Sequence, residues 1–294
     1  MQYQGTIYRP PLEANTPLLP VTQGCSHNKC TFCNMYQGVP FRVLPNEQIE
    51  AYLRQIAQIY ARVQNLDRIY LVGADPFALS ATRLTKIAEL IKNYLPNIKT
   101  ITMYARVDNI ASKSDEALKM LKVADINDLY VGVESGDDDA LKALNKGYDA
   151  QQIKTQCLRL NEAGIAHNDL LMLGTGGAKR GEEVAKATAK LQNQIRPGKI
   201  LLNTMSAFED TKLNEDIKAG RFIPASEREN LEEEVVLLEN LELPNTYFWA
   251  AHPLDAVAIA GDLTQKEEMI RTLKHAANTI NSGSYRQTSR RGTL

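Results

Sequence analysis

Short apolar runs alternate with longer stretches whose apolar residues recur every three or four positions, and this alternation organises most of the chain. Leu18–Gly24 is the first short run and reads as a strand that ends in a loop. Over Glu47–Arg62, the residues Ile49, Leu53, Ile56, Ile59 and Tyr60 fall on one stripe, the spacing of an amphipathic helix. Ile69–Gly73 is apolar almost throughout, as expected of a parallel strand covered on both faces. A helix is predicted from Ser80, a side chain suited to an N-cap, to Tyr94, with Pro96 ending it. The cycle continues with a strand at Ile98–Tyr104, a helix at Ser114–Val123 and a strand at Leu129–Val133. Helical patterns over Asp138–Leu144 and Asp149–Ala163 follow, then a strand at Asp169–Leu173, a helix at Glu182–Ile195 and a strand at Ile200–Met205. Six strands alternating with helices predict an α/β protein with a parallel sheet and helical crossovers. Beyond Glu209 only helical patterns remain, at Asp210–Ala219, Ser226–Leu241 and Gln265–Asn281, before a polar, basic tail. The simplest division is a core over 1–210 and a helical C-terminal extension over 211–294.

Composition narrows the class. Of 294 residues, 44 % are hydrophobic and 23 % charged, enough apolar material for a substantial core without external staples. A formal net charge of −1 argues against a body built to hold nucleic acid by bulk attraction. No apolar run approaches the roughly 18 residues needed to span a bilayer, so no membrane partner is expected. The first residues lack the charged-then-apolar layout of a secretory leader, and the expected location is the cytoplasm.

Four cysteines are present, and three of them fall within Cys25-Ser-His-Asn-Lys-Cys30-Thr-Phe-Cys33. Thiols this close, on a loop leaving a strand, suit a soft metal centre better than a disulfide scaffold. Three thiolates would satisfy three irons of a 4Fe–4S cube and leave the fourth open to a small molecule. Zinc, with His27 as a fourth ligand, is the competing reading. His27 lies only two residues after Cys25, closer than zinc-finger spacing, so spacing favours iron–sulfur without excluding zinc. Cys157, alone in a helical pattern, reads as a small core residue.

The cysteine loop resembles the cluster-binding loop of the radical S-adenosylmethionine (SAM) superfamily. The two-residue gap and the aromatic Phe32 before the last cysteine match, while the first gap holds four residues where three are usual. Later strand ends resemble the same superfamily in order. Gly73-Ala74-Asp75-Pro76 is similar to the segment whose backbone and acid receive the SAM amino group. Tyr104-Ala-Arg106-Val-Asp108 is similar to an arginine-containing strand end of the elongator-type, methylthiotransferase-type and coproporphyrinogen-oxidase-type branch. Val131-Gly-Val-Glu134-Ser135-Gly136 resembles that branch's ribose-binding strand end, and Lys146 stands where a basic residue often pairs the SAM carboxylate. Asp169-Leu-Leu-Met-Leu-Gly174 is similar to the segment packed against adenine.

The resemblance covers roughly Leu18 to Met205. It implies a partial (β/α)6 radical SAM barrel, one 4Fe–4S cluster on Cys25, Cys30 and Cys33, and SAM as a second cofactor. By the same resemblance the enzyme cleaves SAM reductively to make a 5′-deoxyadenosyl radical for hydrogen abstraction. It implies an external electron donor such as flavodoxin or ferredoxin. With only Cys157 left over, a second cluster of ordinary ligation is not expected, nor is there room for a cobalamin or acetyltransferase domain. The substrate is open among small molecule, tetrapyrrole, peptide and RNA. In the extension, the aromatic run Thr246–Pro253 carries His252, read either as a catalytic residue facing substrate, with the run closing the barrel mouth, or as a satisfied histidine in aromatic core packing. The alternative is a zinc- or iron–sulfur-binding module without SAM chemistry.

Overall fold

The computed structural model describes residues 6–280, so the tail residues Arg286, Arg290 and Arg291 lie outside them. In chain order the first elements are strand β1 (Leu18–Pro20), the two-residue strands β2 (Thr22–Gln23) and β3 (Arg42–Val43), helix α1 (Asn46–Ile59) and strand β4 (Arg68–Val72). Helix α2 (Ala81–Tyr94), strand β5 (Thr100–Ala105), helices α3 (Val107–Ala111) and α4 (Asp115–Val123), and strand β6 (Ile126–Glu134) follow. Then come helices α5 (Asp138–Ala143) and α6 (Ala150–Glu162), strand β7 (Ala166–Leu173), helix α7 (Gly181–Ile195) and strand β8 (Lys199–Thr204). The remainder is α8 (Lys212–Lys218), α9 (Glu227–Asn240), β9 (Tyr247–Ala250), β10 (Ile259–Asp262) and α10 (Lys266–Thr279). All six predicted strands are present with shifted ends. Ser80 and Ser114 cap α2 and α4 as the sequence suggests, accepting from Arg83 N and Ala117 N at 3.2 Å each.

The chain divides into two compact units. The first comprises the described residues of Met1–Asn28, Met35–Gly132 and Gln156–His167; the second those of Lys29–Asn34, Val133–Thr155 and Asn168–Leu294.

In the first unit β1, β4, β5 and the body of β6 pair in that order, all parallel. Leu19, Leu71, Met103 and Leu129 lie level across the register and are fully buried. The rings of Tyr70, Tyr104 and Tyr130 meet edge to face at 5.8–6.5 Å between centroids. Near the start of these strands, Arg68 binds Glu13 and Asp128 at 2.6 Å each, and the Tyr130 hydroxyl donates to Glu13 at 2.7 Å. The Glu13 carboxyl, pushed up by burial and pulled down harder by Arg68, Thr16 and Tyr130, settles below its ordinary range. This network clamps one end of the strands and leaves the other, the C-terminal end, for chemistry.

In the second unit β7, β8 and β9 run parallel and β10 closes the series antiparallel to β9. The extension beyond Glu209 is mainly helical, with α8, α9 and α10, and adds two strands, β9 and β10, that its sequence pattern did not predict. Tyr247–Ala250 alternates half-buried and buried residues, a period-two pattern that a run apolar at every position conceals in the sequence. Helix α9 packs against both α7 and α10, and its N-terminus carries a capping box between Ser226 and Glu229.

Candidate functional site

Cys25, Cys30 and Cys33 are half-buried, and none of them is joined in a disulfide. Cys25, Gly73, Ala74, Asp75 and Arg106 belong to the first unit; Cys30, Phe32, Cys33, Glu134, Ser135, Lys146, Asp169 and His252 belong to the second.

The first half of the cysteine segment is fixed by its backbone. Gly24 has φ +68°, and a Cβ there would stand 2.6 Å from the Pro40 carbonyl oxygen, so only glycine fits. Asn28, itself at φ +48°, donates its N–H to Cys25 Sγ at 3.3 Å and its side-chain amide to Tyr36 O at 3.1 Å. Between them, Ser26 Oγ donates to Asp75 Oδ2 at 2.6 Å, tying the loop to the end of β4. Gly73, where β4 ends, has φ +155°, and a Cβ there would lie 2.0 Å from Thr22 Oγ1.

Asp75 is fully buried. Its Oδ2 accepts from Ser26 and from Asn109 Nδ2, while its Oδ1 has no hydrogen-bond partner. Burial raises this carboxyl to about 7, against the opposing pull of Ser26, Arg106 and Lys113. Lys113 Nζ donates to Phe77 O at 2.6 Å and lies 4.2 Å from the Phe77 ring centroid. Burial pulls this ammonium down to about 8, with Asp75 acting the other way. Arg106, directly before α3, forks onto Asp108 through two 3.0 Å bonds. Ser26, Asn109 and Lys113 were not singled out from the sequence. Ser26 lies within the cysteine segment and Asn109 directly follows the Tyr104–Asp108 segment, and their contact with Asp75 appears only on folding.

The second half of the cysteine segment is held separately. Thr31 donates its N–H to Leu144 O and its hydroxyl to Ala143 O, both at 3.0 Å, and accepts at its carbonyl from Leu213 N at 2.8 Å. Asn145 Nδ2 donates to Lys29 O at 2.8 Å, and Asn34 Nδ2 to Asp210 Oδ1 at 3.0 Å. Cys33 N closes a turn onto Cys30 O at 3.3 Å, and Phe32 between them is half-buried. At the end of β6, Glu134 sits at φ +65°, an unfavourable conformation for a glutamate that clusters at functional positions. Its Oε1 meets Lys146 Nζ at 2.8 Å in a pair almost wholly buried. Burial draws Lys146 down, but Glu134, Tyr148 and Cys30 more than offset this, so it is held above its ordinary value and charged. The two residues expected to address different parts of the cofactor thus bind each other. Ser135, fully buried, accepts from Asp137 N at 3.1 Å, and Asp169 on β7 is fully buried.

His252 follows β9. Its N–H donates to Asp255 Oδ2 at 2.9 Å, and its Nδ1 accepts from Leu254 N at 3.2 Å. Burial lowers its pKa, so the ring is neutral with the proton on Nε2.

Comparison with known proteins bears on this arrangement. Residues 19–187 match the family model described as the Radical SAM superfamily, more than half of the chain. The heme chaperone HemW of Bacillus subtilis (strain 168) is 27 % identical over 156 residues, 52 % of this chain and 41 % of that protein. The chain therefore spans about two fifths of this curated relative. The archaeal Elp3 of Methanocaldococcus infernus superposes with a TM-score of 0.57 at 13 % identity, over 90 % of this chain and 64 % of that one. The radical SAM methyltransferase TsrM from Kitasatospora setae, solved with cobalamin and a [4Fe–4S] cluster, gives 0.55 at 15 % identity, over 70 % of this chain and 39 % of that one. At these identities the superpositions show a shared fold.

Proposed function

Starting from a chain that belongs to the radical SAM superfamily, we propose an enzyme that uses one 4Fe–4S cluster and SAM to abstract hydrogen from a substrate. The observation that carries the reading is Asp75: a fully buried carboxylate, hydrogen-bonded to the residue next to Cys25, with one oxygen left without a partner. Burying such a group without a full set of partners is costly unless something else supplies a donor. The SAM ammonium is such a donor, and three half-buried cysteines outside any disulfide suit the cluster.

Cys25, Cys30 and Cys33 would hold the cluster, and Phe32 would shield it. Gly73 and Ala74 would offer backbone to the SAM amino group beside Asp75. Arg106, Glu134, Ser135 and Lys146 would serve the carboxylate and ribose, and Asp169 the adenine side. When bound, the pair supplies a 5′-deoxyadenosyl radical through one-electron cleavage of SAM. The protein's residues bind, orient and exclude water; none of them needs to move a proton to SAM. Lys146 stays charged through its bond to Glu134, so a carboxylate can share it without a change of protonation. His252, neutral and fixed by Asp255 and Leu254, would face substrate. Electrons come from an external donor such as flavodoxin or ferredoxin. Among the described residues no helix is long and apolar enough to cross a membrane, and a cytoplasmic site of action accords with an oxygen-sensitive cluster.

The test is anaerobic reconstitution with iron and sulfide, then reduction in the presence of SAM. A brown protein that yields 5′-deoxyadenosine is expected. A cluster-loaded protein that yields none overturns the enzyme reading, and a colourless zinc-binding protein overturns the cofactor.

A further inference from the structure

Tyr70 on β4, Tyr104 on β5 and Tyr130 on β6 stand on one face of the first unit's sheet: Tyr70 pairs with Thr102, two residues before Tyr104, and Tyr104 pairs with Tyr130. Their rings lie 5.8, 6.5 and 6.3 Å apart between centroids, each edge to face with the other two. The three hydroxyls differ in their surroundings. Tyr70 is fully buried, and its hydroxyl has no hydrogen-bond partner. Tyr130 is 1 % exposed and donates to Glu13 Oε1 at 2.7 Å. Tyr104 is half-buried and the most open to solvent of the three. The backbone stays extended through Arg106, at φ −101° and ψ 150°, so Tyr104 and Arg106 project from the same side of the strand, about 7 Å apart along it.

Packing alone does not account for this cluster. Phenylalanine at position 70 would fill the same space without burying an unsatisfied hydroxyl, which is destabilising. What tyrosine adds is a ring that gives up an electron far more easily than a phenyl ring does. Burial holds the Tyr70 proton in place, so an oxidised Tyr70 has nowhere to send it. Tyr130 differs. Glu13 beside it is held below its ordinary range and stands as an anion able to take a proton. Loss of an electron makes a phenol strongly acidic, and its proton then passes along the 2.7 Å bond to Glu13. Arg68 binds both Glu13 and Asp128 at 2.6 Å, so it keeps Asp128 as its counter-charge when Glu13 is neutralised.

We propose that Tyr104, Tyr70 and Tyr130 form a one-electron relay that draws a stray oxidising radical away from the Arg106 side of β5 and holds it at Tyr130, with Glu13 as the proton acceptor. The identity of the oxidant rests on the radical-enzyme reading: it is a 5′-deoxyadenosyl radical formed with no substrate in place. That radical takes the hydroxyl hydrogen atom of Tyr104, so an O–H bond breaks, a C–H bond forms and Tyr104 becomes a phenoxyl radical. An electron then moves to Tyr104 from Tyr130, directly or through Tyr70. Water returns a proton to Tyr104, and the Tyr130 proton goes to Glu13. One electron from the external donor, with the proton held on Glu13, restores the Tyr130 phenol.

The first test uses the protein without cluster or SAM, oxidised by photogenerated tris(bipyridine)ruthenium(III), freeze-quenched and read by electron paramagnetic resonance. A phenoxyl signal is expected, with an exchangeable proton coupling that disappears in deuterium oxide. Its yield should fall at least tenfold in Tyr130→Phe and in Tyr104→Phe, and stay unchanged in Tyr60→Phe, which lies outside the cluster at the end of α1. Glu13→Gln keeps a hydrogen-bond acceptor but no base, so its yield should fall by the same factor. An undiminished signal in any of the three cluster variants that melts like the wild type would overturn the relay. So would a signal confined to Tyr60 or to Trp249, the chain's single tryptophan. Should Tyr130→Phe melt early, Tyr104→Phe, changed at a half-buried position, decides. The second test reduces the cluster-loaded protein with SAM and no substrate in deuterium oxide, and reads the 5′-deoxyadenosine by mass spectrometry. It should carry one solvent deuterium, drawn from the exchanged Tyr104 hydroxyl, and lose that label at least tenfold in Tyr104→Phe. Unlabelled 5′-deoxyadenosine would overturn the relay and leave the enzyme reading intact. No 5′-deoxyadenosine, with the phenoxyl signal present in the first test, would overturn the enzyme reading and leave the relay standing as a property of the fold.

Discussion

Asp75→Asn should make the cofactor-free protein more stable at pH 8 and less stable at pH 4. The fold raises this carboxyl from its ordinary 3.8 to about 7, chiefly by burial. The folded state therefore prefers the protonated acid. Wild-type stability falls as pH rises from about 4, where the unfolded chain ionises, to about 7, where the folded protein does, and is level above that. Three pKa units at about 1.4 kcal/mol each give a swing of about 4 kcal/mol. Asparagine has no such swing. It keeps an acceptor for Ser26 and Asn109, but it points an NH₂ where Oδ1 has no partner, at a cost of about 1–3 kcal/mol at every pH. The variant should thus trail at pH 4 by that cost and lead at pH 8 by roughly 1–3 kcal/mol. Urea unfolding followed by far-UV circular dichroism at both pH values measures the difference. A swing below about 1 kcal/mol, or one of opposite sign, would show that Asp75 is not the buried, under-satisfied carboxyl described above. The same variant should lose SAM binding, since the missing partner that strains the empty protein is the group the cofactor brings.

Lys146→Met leaves Glu134 as an uncompensated buried charge and should cost about 3–5 kcal/mol, read as a lower urea midpoint of Trp249 fluorescence in the same unit. Lys146→Met with Glu134→Gln should recover most of that loss, and a double variant as unstable as the single one would contradict the charge argument. Gly73→Ala drives a Cβ to 2.0 Å from Thr22 Oγ1 and imposes φ +155° on a residue with a side chain, together about 2–6 kcal/mol. Adding Thr22→Ala should return only the steric share in a melting-temperature cycle; full recovery would mean the backbone is unstrained. Cys30→Ala should lose iron and sulfide on reconstitution, whereas Cys157→Ala, changed at a fully buried helix position, should retain both by metal analysis.

The alternation of short apolar runs with amphipathic stretches was enough to find six strands and most helices, because parallel strands buried on both faces and half-buried helices each impose their own period. It was also enough to find the caps at Ser80 and Ser114, whose hydrogen bonds are local. The cysteine loop and the residues at the strand ends were legible as residue types in order. Periodicity did not reveal β9 and β10, since a run such as Tyr247–Ala250 is apolar at every position and hides which side faces the core. Nor could it show that Glu134 and Lys146 neutralise each other, that Ser26 and Asn109 converge on one oxygen of Asp75, or that the Tyr130 hydroxyl meets Glu13. Those facts depend on contacts between residues far apart in the chain and on how much water each site excludes. Spacing along a sequence encodes a local period and a ligand set; desolvation and pairing are properties of the packed interior, and only the tertiary structure decides them.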